Sequence, residues 1–198
     1  VCPYDMNLKN SIGKVLPSLK FRFIDPESKE LLPETTKEGI LIVSGPSIFS
    51  GYLNYEGESP FLDFEAIHWY NTGDIVQIDE KNCLIFKGRK KRFIKLGGEM
   101  ISLPAIENIL LEAFASENDD GPILAVEATA DENKQEIVLF TVKGFEREQV
   151  NEKIKSGGLS PLHYIRLINL VEKIPVLGTG KTDYKALKEI LKGEKSSK

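Results

Sequence analysis

An α+β fold built as two successive units is what this sequence predicts. Three observations carry it: short β-type runs fill the first part, helical periodicity begins only after Gly88, and a short basic segment lies between them. Before the boundary, the β-type runs are residues 21–24, followed by Asp25-Pro26, then 39–43, followed by Gly45-Pro46, then 69–70, 74–78 and 84–86. Such spacing predicts a small, strongly bent sheet, a distorted barrel, over residues 1–87. The segment 88–92, Gly-Arg-Lys-Lys-Arg, is polar and starts on a glycine, the residue freest in backbone angle, so it reads as a linker between the two units. A compact α+β domain is then expected over residues 93–198.

Within that second domain, Pro104 sits where a first helical turn accepts proline, and Ile106, Ile109, Leu110 and Ala113 recur at helical spacing, predicting a helix from Leu103 to Phe114. Strands are expected at 123–128, 137–142 and 165–171, with helices at 147–155 and 184–191. The tail from Gly193 to Lys198 reads as disordered. The opening residues, Val1, Cys2 and Pro3, carry neither an initiator methionine nor a signal-peptide pattern, and the chain reads as a piece of a longer protein.

Composition narrows the function. Of 198 residues, 41% are hydrophobic and 28% charged, as in ordinary globular proteins. The net charge of −4 provides no chain-wide positive field, which argues against nucleic acid as a partner. The two cysteines, Cys2 and Cys83, lie far apart in no metal-binding or redox spacing, so both are read as inert, in a reducing compartment. Apolar runs such as 40–43 are strand-sized, far short of the roughly 20 residues of a membrane-spanning helix.

Four segments occur in one order: GILIVSGPSIFSGYL from Gly39, WYNTGD from Trp69, GRKKRFIKLGGEMISLPAIE from Gly88 and IPVLGTGKTDYKAL from Ile174. Together they resemble the adenylate-forming superfamily of acyl-CoA synthetases, luciferases and peptide-synthetase adenylation domains. SIGKVLPSLKFRFIDPES from Ser11 extends the likeness over nearly the whole chain, as the carboxyl-terminal portion of such enzymes. The wording WYNTGDIV, GRKKRFIK, GGEMISL and LGTGK is most similar to bacterial acyl-acyl carrier protein synthetases, the activating part of bifunctional 2-acylglycerophosphoethanolamine acyltransferases.

The resemblance implies an ATP-dependent ligase that joins a fatty acid to AMP and passes the acyl group to the phosphopantetheine thiol of acyl carrier protein. Negative charge gathers on phosphate and carboxylate oxygens in the first step, and a placed cation stabilises it. Lys181, in the GTGK turn, matches the catalytic lysine; read alone, the turn is a glycine-rich loop ending in a solvated charge. Asp74 matches the carboxylate that accepts hydrogen bonds from the ribose hydroxyls of ATP, although TGD by itself is an ordinary β-turn. Arg89 matches the arginine near ribose or phosphate, and Lys91 the position in a hinge, residues 88–92, about which a mobile lid, residues 93–198, turns between the two half-reactions. Without that likeness, residues 89–92 are a solvated basic run.

Lys95, Gly97, Gly98 and Glu99 match the loop lining the thiol's path in the second step, while two adjacent glycines equally mark a plain hairpin turn. Trp69 and Tyr70 are read as packing residues. A His followed five positions later by Asp, as the acyltransferase half would need, is absent: Gly73 follows His68 and Ile168 follows His163 at that distance. The phosphate-binding loop is also missing, so the chain alone is expected to be inactive, with Mg2+ and most ATP contacts supplied upstream and no metal ligands here. The likeness implies a cytoplasmic protein, its parent at the inner face of the bacterial membrane. Two other readings stand: coenzyme A as the acceptor, and a non-catalytic module that docks a carrier protein.

Overall fold

A computed structural model describes residues 11–54, 56–129 and 135–195, and the chain divides into two compact units, Val1–Lys91 and Arg92–Lys198. Cys2, the first residues and positions 196–198 lie outside the described residues.

The regular structure described in the first unit is β up to Arg89: β1 (Ser11–Gly13), β2 (Lys20–Ile24), β3 (Glu38–Ser44), β4 (Phe61–Phe64), β5 (Ile67–Ile78) and β6 (Leu84–Arg89). They form one six-stranded sheet in the order β1-β6-β5-β3-β2, with β4 added along β5. The central strand β3 reads Gly-Ile-Leu-Ile-Val without alternation because both of its faces are covered. Leu41 and Val43 join Phe23, Val76 and Leu84 in one cluster, while Ile40 and Ile42 are buried on the opposite face.

The α+β class holds, but among the described residues the sheet is open rather than barrel-like. β1 offers three residues, already slips register against β6, and is too short a ladder to reach β2 at the other end. The two runs expected at 69–70 and 74–78 are one strand, β5. Thr72-Gly73-Asp74 does not end it, because the extra residues are absorbed as a bulge against β3.

The second unit follows as β7 (Phe93–Leu96), β8 (Glu99–Ser102), α1 (Leu103–Phe114), β9 (Leu124–Ala128), β10 (Ile137–Thr141), α2 (Arg147–Ser156), β11 (Leu167–Leu170) and α3 (Tyr184–Lys195). Strands β7 and β8 form a hairpin, and β11-β10-β9 a separate three-stranded sheet. Because β11 runs parallel to β10, a crossover is obligatory, and α2 supplies it. Ser102 caps α1 by accepting from the Ala105 N–H at 3.2 Å, and Pro104 stands in the first turn where no N–H is missed.

Both faces of this sheet are covered. Leu103, Ile106 and Leu110 of α1 and Val150 and Ile154 of α2 pack with Leu124, Val126, Ile137 and Leu139. Leu187 and Leu191 of α3 pack with Ala125, Val138 and Phe140 on the other side. Ala113 is exposed, contrary to the expected stripe, because α1 turns Leu103, Ile106 and Leu110 inward. The last helix also runs past Leu191, so Gly193 is helical rather than part of a loose tail. No helix among the described residues is long and apolar enough to cross a membrane.

Candidate active site

The bulge in β5 is held by its own side chains. Asn71 Oδ1 accepts the Gly73 N–H at 2.9 Å, and Thr72 Oγ1 accepts the Asp74 N–H at 3.1 Å while donating to the Leu41 carbonyl at 2.8 Å. Gly73 has φ +70, which an L side chain adopts only with strain. Sequence reasoning singled out Asp74 but passed over Asn71 and Thr72, two short polar residues before a glycine that signal local backbone capture.

Asp74 pairs in register with Arg89 of β6, and its Oδ1 lies 2.7 Å from Arg89 Nε, an ion-pair approach outside hydrogen-bond alignment. Arg89 Nη1 also reaches the Thr72 carbonyl at 3.4 Å, tying the arginine to the bulge. Burial pushes the Asp74 carboxyl above the usual carboxylate range, and the Arg89 charge opposes that rise. The Asp74 side chain is 22% exposed and that of Arg89 64%, so a held carboxylate stands beside an open guanidinium. Nearby, Tyr70 meets Tyr52 hydroxyl to hydroxyl at 3.3 Å and packs edge-on against Phe49; the Tyr52 contact, then burial, raises its pKa. Trp69 is 2% exposed, a core residue. His68 contacts Asp63 at 2.8 Å and stacks on Phe61, and His163 contacts the Ser160 hydroxyl at 3.1 Å.

Lys181 lies in the other unit, on a small hairpin. Val176 bridges Thr182, the Leu177 N–H donates to the Lys181 carbonyl at 2.8 Å, and the Gly180 N–H to the Leu177 carbonyl at 2.8 Å. Asp183 closes it, donating its N–H to Pro175 O and accepting with Oδ1 the N–H groups of Lys185 and Ala186, which caps α3. The backbone of Lys181 is therefore fixed, while its side chain is exposed and makes no ion pair among the described residues.

Lys95, Gly97, Gly98 and Glu99 surround the β7–β8 turn. Gly97 and Gly98 have φ +58 and +85, a two-residue turn with both central angles positive, and Leu96 pairs with Glu99 across it. A Cβ at Gly98 would meet no atom of the chain within 4 Å, so this glycine serves backbone angle and leaves open space beside the peptide.

Lys91 is exposed in a single 3-10 turn, Lys90–Arg92, at the limit of the first unit. Arg92, the last residue of the expected hinge, is 9% exposed, which excludes for it the alternative of a solvated basic run. Its Nη2 donates to Val126 O at 2.9 Å and reaches Glu107 Oε2 at 3.2 Å, and its guanidinium carbon lies 3.4 Å from the ring centroid of Tyr184. Glu107 also accepts the Val126 N–H at 2.8 Å and the Tyr184 hydroxyl at 2.5 Å. Burial, then the Glu107 charge, raises the Tyr184 pKa. The signal for this cluster was Glu107 itself, a carboxylate on the apolar stripe of α1, four residues after Leu103 and three before Leu110.

No protein-family model matches the chain. It is 30% identical over 186 residues to 4-coumarate--CoA ligase-like 1 of Arabidopsis thaliana, covering 91% of this chain and 33% of that protein. It is 36% identical over 109 residues to D-alanine--D-alanyl carrier protein ligase of Listeria innocua, covering 54% of this chain and 21% of that protein. The fold matches ATP-bound MatB from Rhodopseudomonas palustris with a TM-score of 0.74 at 24% identity, covering 96% of this chain and 37% of that one. The chain belongs to the adenylate-forming superfamily. It corresponds to the carboxyl-terminal portion of those enzymes and spans about a third of the length of the curated relatives it matches over nearly its whole extent. In this superfamily member, Asp74 and Arg89 are brought together in one unit, whereas Lys91 ends that unit and Lys181 and the Lys95–Glu99 turn belong to the next.

Proposed function

We propose that this chain supplies the ribose-binding strand pair and the lysine-bearing lid of an AMP-forming acid–thiol ligase acting on a fatty acid. ATP supplies the electrophile: its α-phosphate takes the substrate carboxylate and pyrophosphate leaves. Asp74 accepts from the ribose hydroxyls, which its two carboxylate oxygens suit, and Arg89 keeps that carboxylate oriented and ionised. Lys181 extends its ammonium to the oxygens on which negative charge develops. In the second step, Lys95, Gly97, Gly98 and Glu99 line the path of the thiol, and Lys91 is the pivot between the two arrangements. The Mg2+ that accompanies ATP is assigned to protein outside this chain.

The observation that carries this reading is Lys181: an exposed ammonium with no ion pair among the described residues, on a hairpin fixed by three backbone hydrogen bonds, in a motif that follows those of Asp74 and Arg89 along the chain. A lysine spaced for general solubility needs no such support beneath it.

The acceptor is assigned as the phosphopantetheine arm of acyl carrier protein. The likeness to a carrier protein ligase and the exposed Lys87, Arg89, Lys91 and Lys95 favour it, since carrier proteins are acidic and basic side chains steer them. Coenzyme A, suggested by the likeness to 4-coumarate--CoA ligase-like 1, is the second reading.

The test joins this chain to the rest of the enzyme and measures palmitate-dependent ATP–pyrophosphate exchange, followed by acyl transfer to carrier protein and to coenzyme A. Exchange is expected from the joined protein and none from the 198-residue chain alone. Transfer to carrier protein should weaken steeply with salt. No exchange with Lys181 intact would refute the ligase reading, exchange with salt-independent transfer to coenzyme A alone would replace the acceptor, and binding of carrier protein without exchange would leave a docking module.

A further inference from the structure

Arg92 is the first residue of the second unit, and its guanidinium is enclosed where the neighbouring Lys91 is exposed. Nothing in the local sequence requires that burial, so the contacts made inside must account for it. The guanidinium lies over the Tyr184 ring, 3.4 Å from the centroid, while the Tyr184 hydroxyl and Arg92 Nη2 converge on the two oxygens of one carboxylate, Glu107. Tyr184 begins α3 and stands three residues after Lys181. The residue between them in the contact path is Asp183, whose carboxylate caps α3 and whose N–H closes the Lys181 hairpin on Pro175. Arg92 is thus joined by side-chain contacts to Tyr184, and Tyr184 by the chain itself to Asp183, whose N–H closes the hairpin that holds the Lys181 backbone.

We propose that Arg92 is a positioning residue for Lys181, setting through Tyr184 the place at which the ammonium is presented; the proposal rests on the reading of Lys181 as the lysine of adenylate formation. A buried ion pair gives little net stability over apolar side chains of the same volume, so stability alone does not account for a charged residue here. What the guanidinium adds is direction: a planar fork can stack on a ring and donate sideways to a carboxylate and a carbonyl at once, which an ammonium cannot. The same residue leads directly into β7, the first strand of the hairpin carrying Lys95, while its guanidinium lies over Tyr184, the residue after the Lys181 hairpin.

The test uses the complete enzyme containing this chain, with Arg92→Lys, Tyr184→Phe, Lys181→Ala and the double variant Arg92→Lys/Lys181→Ala. Arg92→Lys keeps a cation beside Glu107, so the fold survives while stacking and the fork are lost. Palmitate-dependent ATP–pyrophosphate exchange should fall about tenfold in kcat for Arg92→Lys, with KM for ATP little changed, as displacing a catalytic group by a fraction of an ångström does. In the Lys181→Ala background, Arg92→Lys should cost nothing further, because the residue it positions is gone. Multiplicative losses in the two backgrounds overturn the proposal.

Amide hydrogen exchange of the same variants gives a readout independent of activity. The amides of Leu177, Gly180 and Asp183 should exchange about tenfold faster in Arg92→Lys, and moderately faster in Tyr184→Phe, while those of β10 stay protected. Unchanged exchange at the hairpin overturns the proposal. Should Lys181→Ala leave pyrophosphate exchange intact, it is the catalytic reading of Lys181 that fails, and the amide rates still decide whether Arg92 orders the hairpin.

Discussion

Replacing Glu107 with alanine should destabilise the second unit and spare the first, and the protein carries its own pair of optical probes to show it. Glu107 accepts from Val126 N at 2.8 Å, from the Tyr184 hydroxyl at 2.5 Å and from Arg92 Nη2 at 3.2 Å. Its removal leaves Arg92 as a buried cation without its counter-ion, which costs about 3–5 kcal/mol. With a urea dependence of about 2 kcal/mol per M for a unit of this size, about 4 kcal/mol lowers the midpoint by about 2 M. The only tryptophan of the chain, Trp69, is buried in the first unit, whereas α1, α2 and α3, all the α-helices among the described residues, belong to the second. Urea titration of the 198-residue chain, followed by Trp69 emission and by helical ellipticity, should move only the second signal. A shift of both signals together, or a helical midpoint displaced by less than about 0.5 M, would refute the reasoning.

Lys181→Ala should lower adenylate formation about a hundredfold to a thousandfold. Because the side chain is exposed, the urea midpoints should change by no more than the equivalent of about 0.5 kcal/mol. Asp74 has a folded pKa raised by burial, so folding takes up a proton between the unfolded and folded values. Stability of the first unit should therefore fall as pH rises through that window. Asp74→Asn should abolish the slope, read as Trp69 urea midpoints against pH. Since the ionised form is the acceptor for ribose, affinity for ATP in the complete enzyme should weaken as pH drops through the raised pKa; equilibrium binding across pH checks it. Gly98→Ala forces an L residue to φ +85 at about 1–2 kcal/mol but meets no atom within 4 Å. It should slow acyl transfer to the thiol more than pyrophosphate exchange, as separate assays of the two half-reactions will show.

The helix from Leu103 to Phe114 was legible because Pro104 and the apolar spacing spoke for it at once, and the structure adds the Ser102 cap. So was the α+β class, since the change of period after Gly88 is abrupt. The bulge at Thr72-Gly73-Asp74 was not, because a turn and a bulge use the same residues and differ only in whether a neighbouring strand continues alongside. Barrel closure likewise depends on which strands meet at the edges, a matter of pairing rather than local propensity. The enclosure of Arg92 was not legible for a related reason: its contact Glu107 lies 15 residues further along the chain, and Tyr184, which bonds that carboxylate, 77 residues beyond it. Asp74, Arg89, Lys181 and the Lys95–Glu99 turn were picked out from motif order, but Asn71, Thr72, Glu107, Asp183 and Tyr184, which support the backbone around them, lie in the same motifs and carried no mark of that role.

The edge of the small sheet sets a practical constraint. β11 pairs only with β10 among the described strands, and it carries two exposed apolar side chains, Leu167 at 47% and Leu170 at 65%. Exposed apolar edge strands favour pairing with strands of other molecules, and neither lysine nor proline interrupts Leu167–Leu170 to oppose it. Self-association of the 198-residue chain is expected to rise with concentration, and Leu170→Lys should reduce it, as sedimentation of the two proteins at matched concentrations will show.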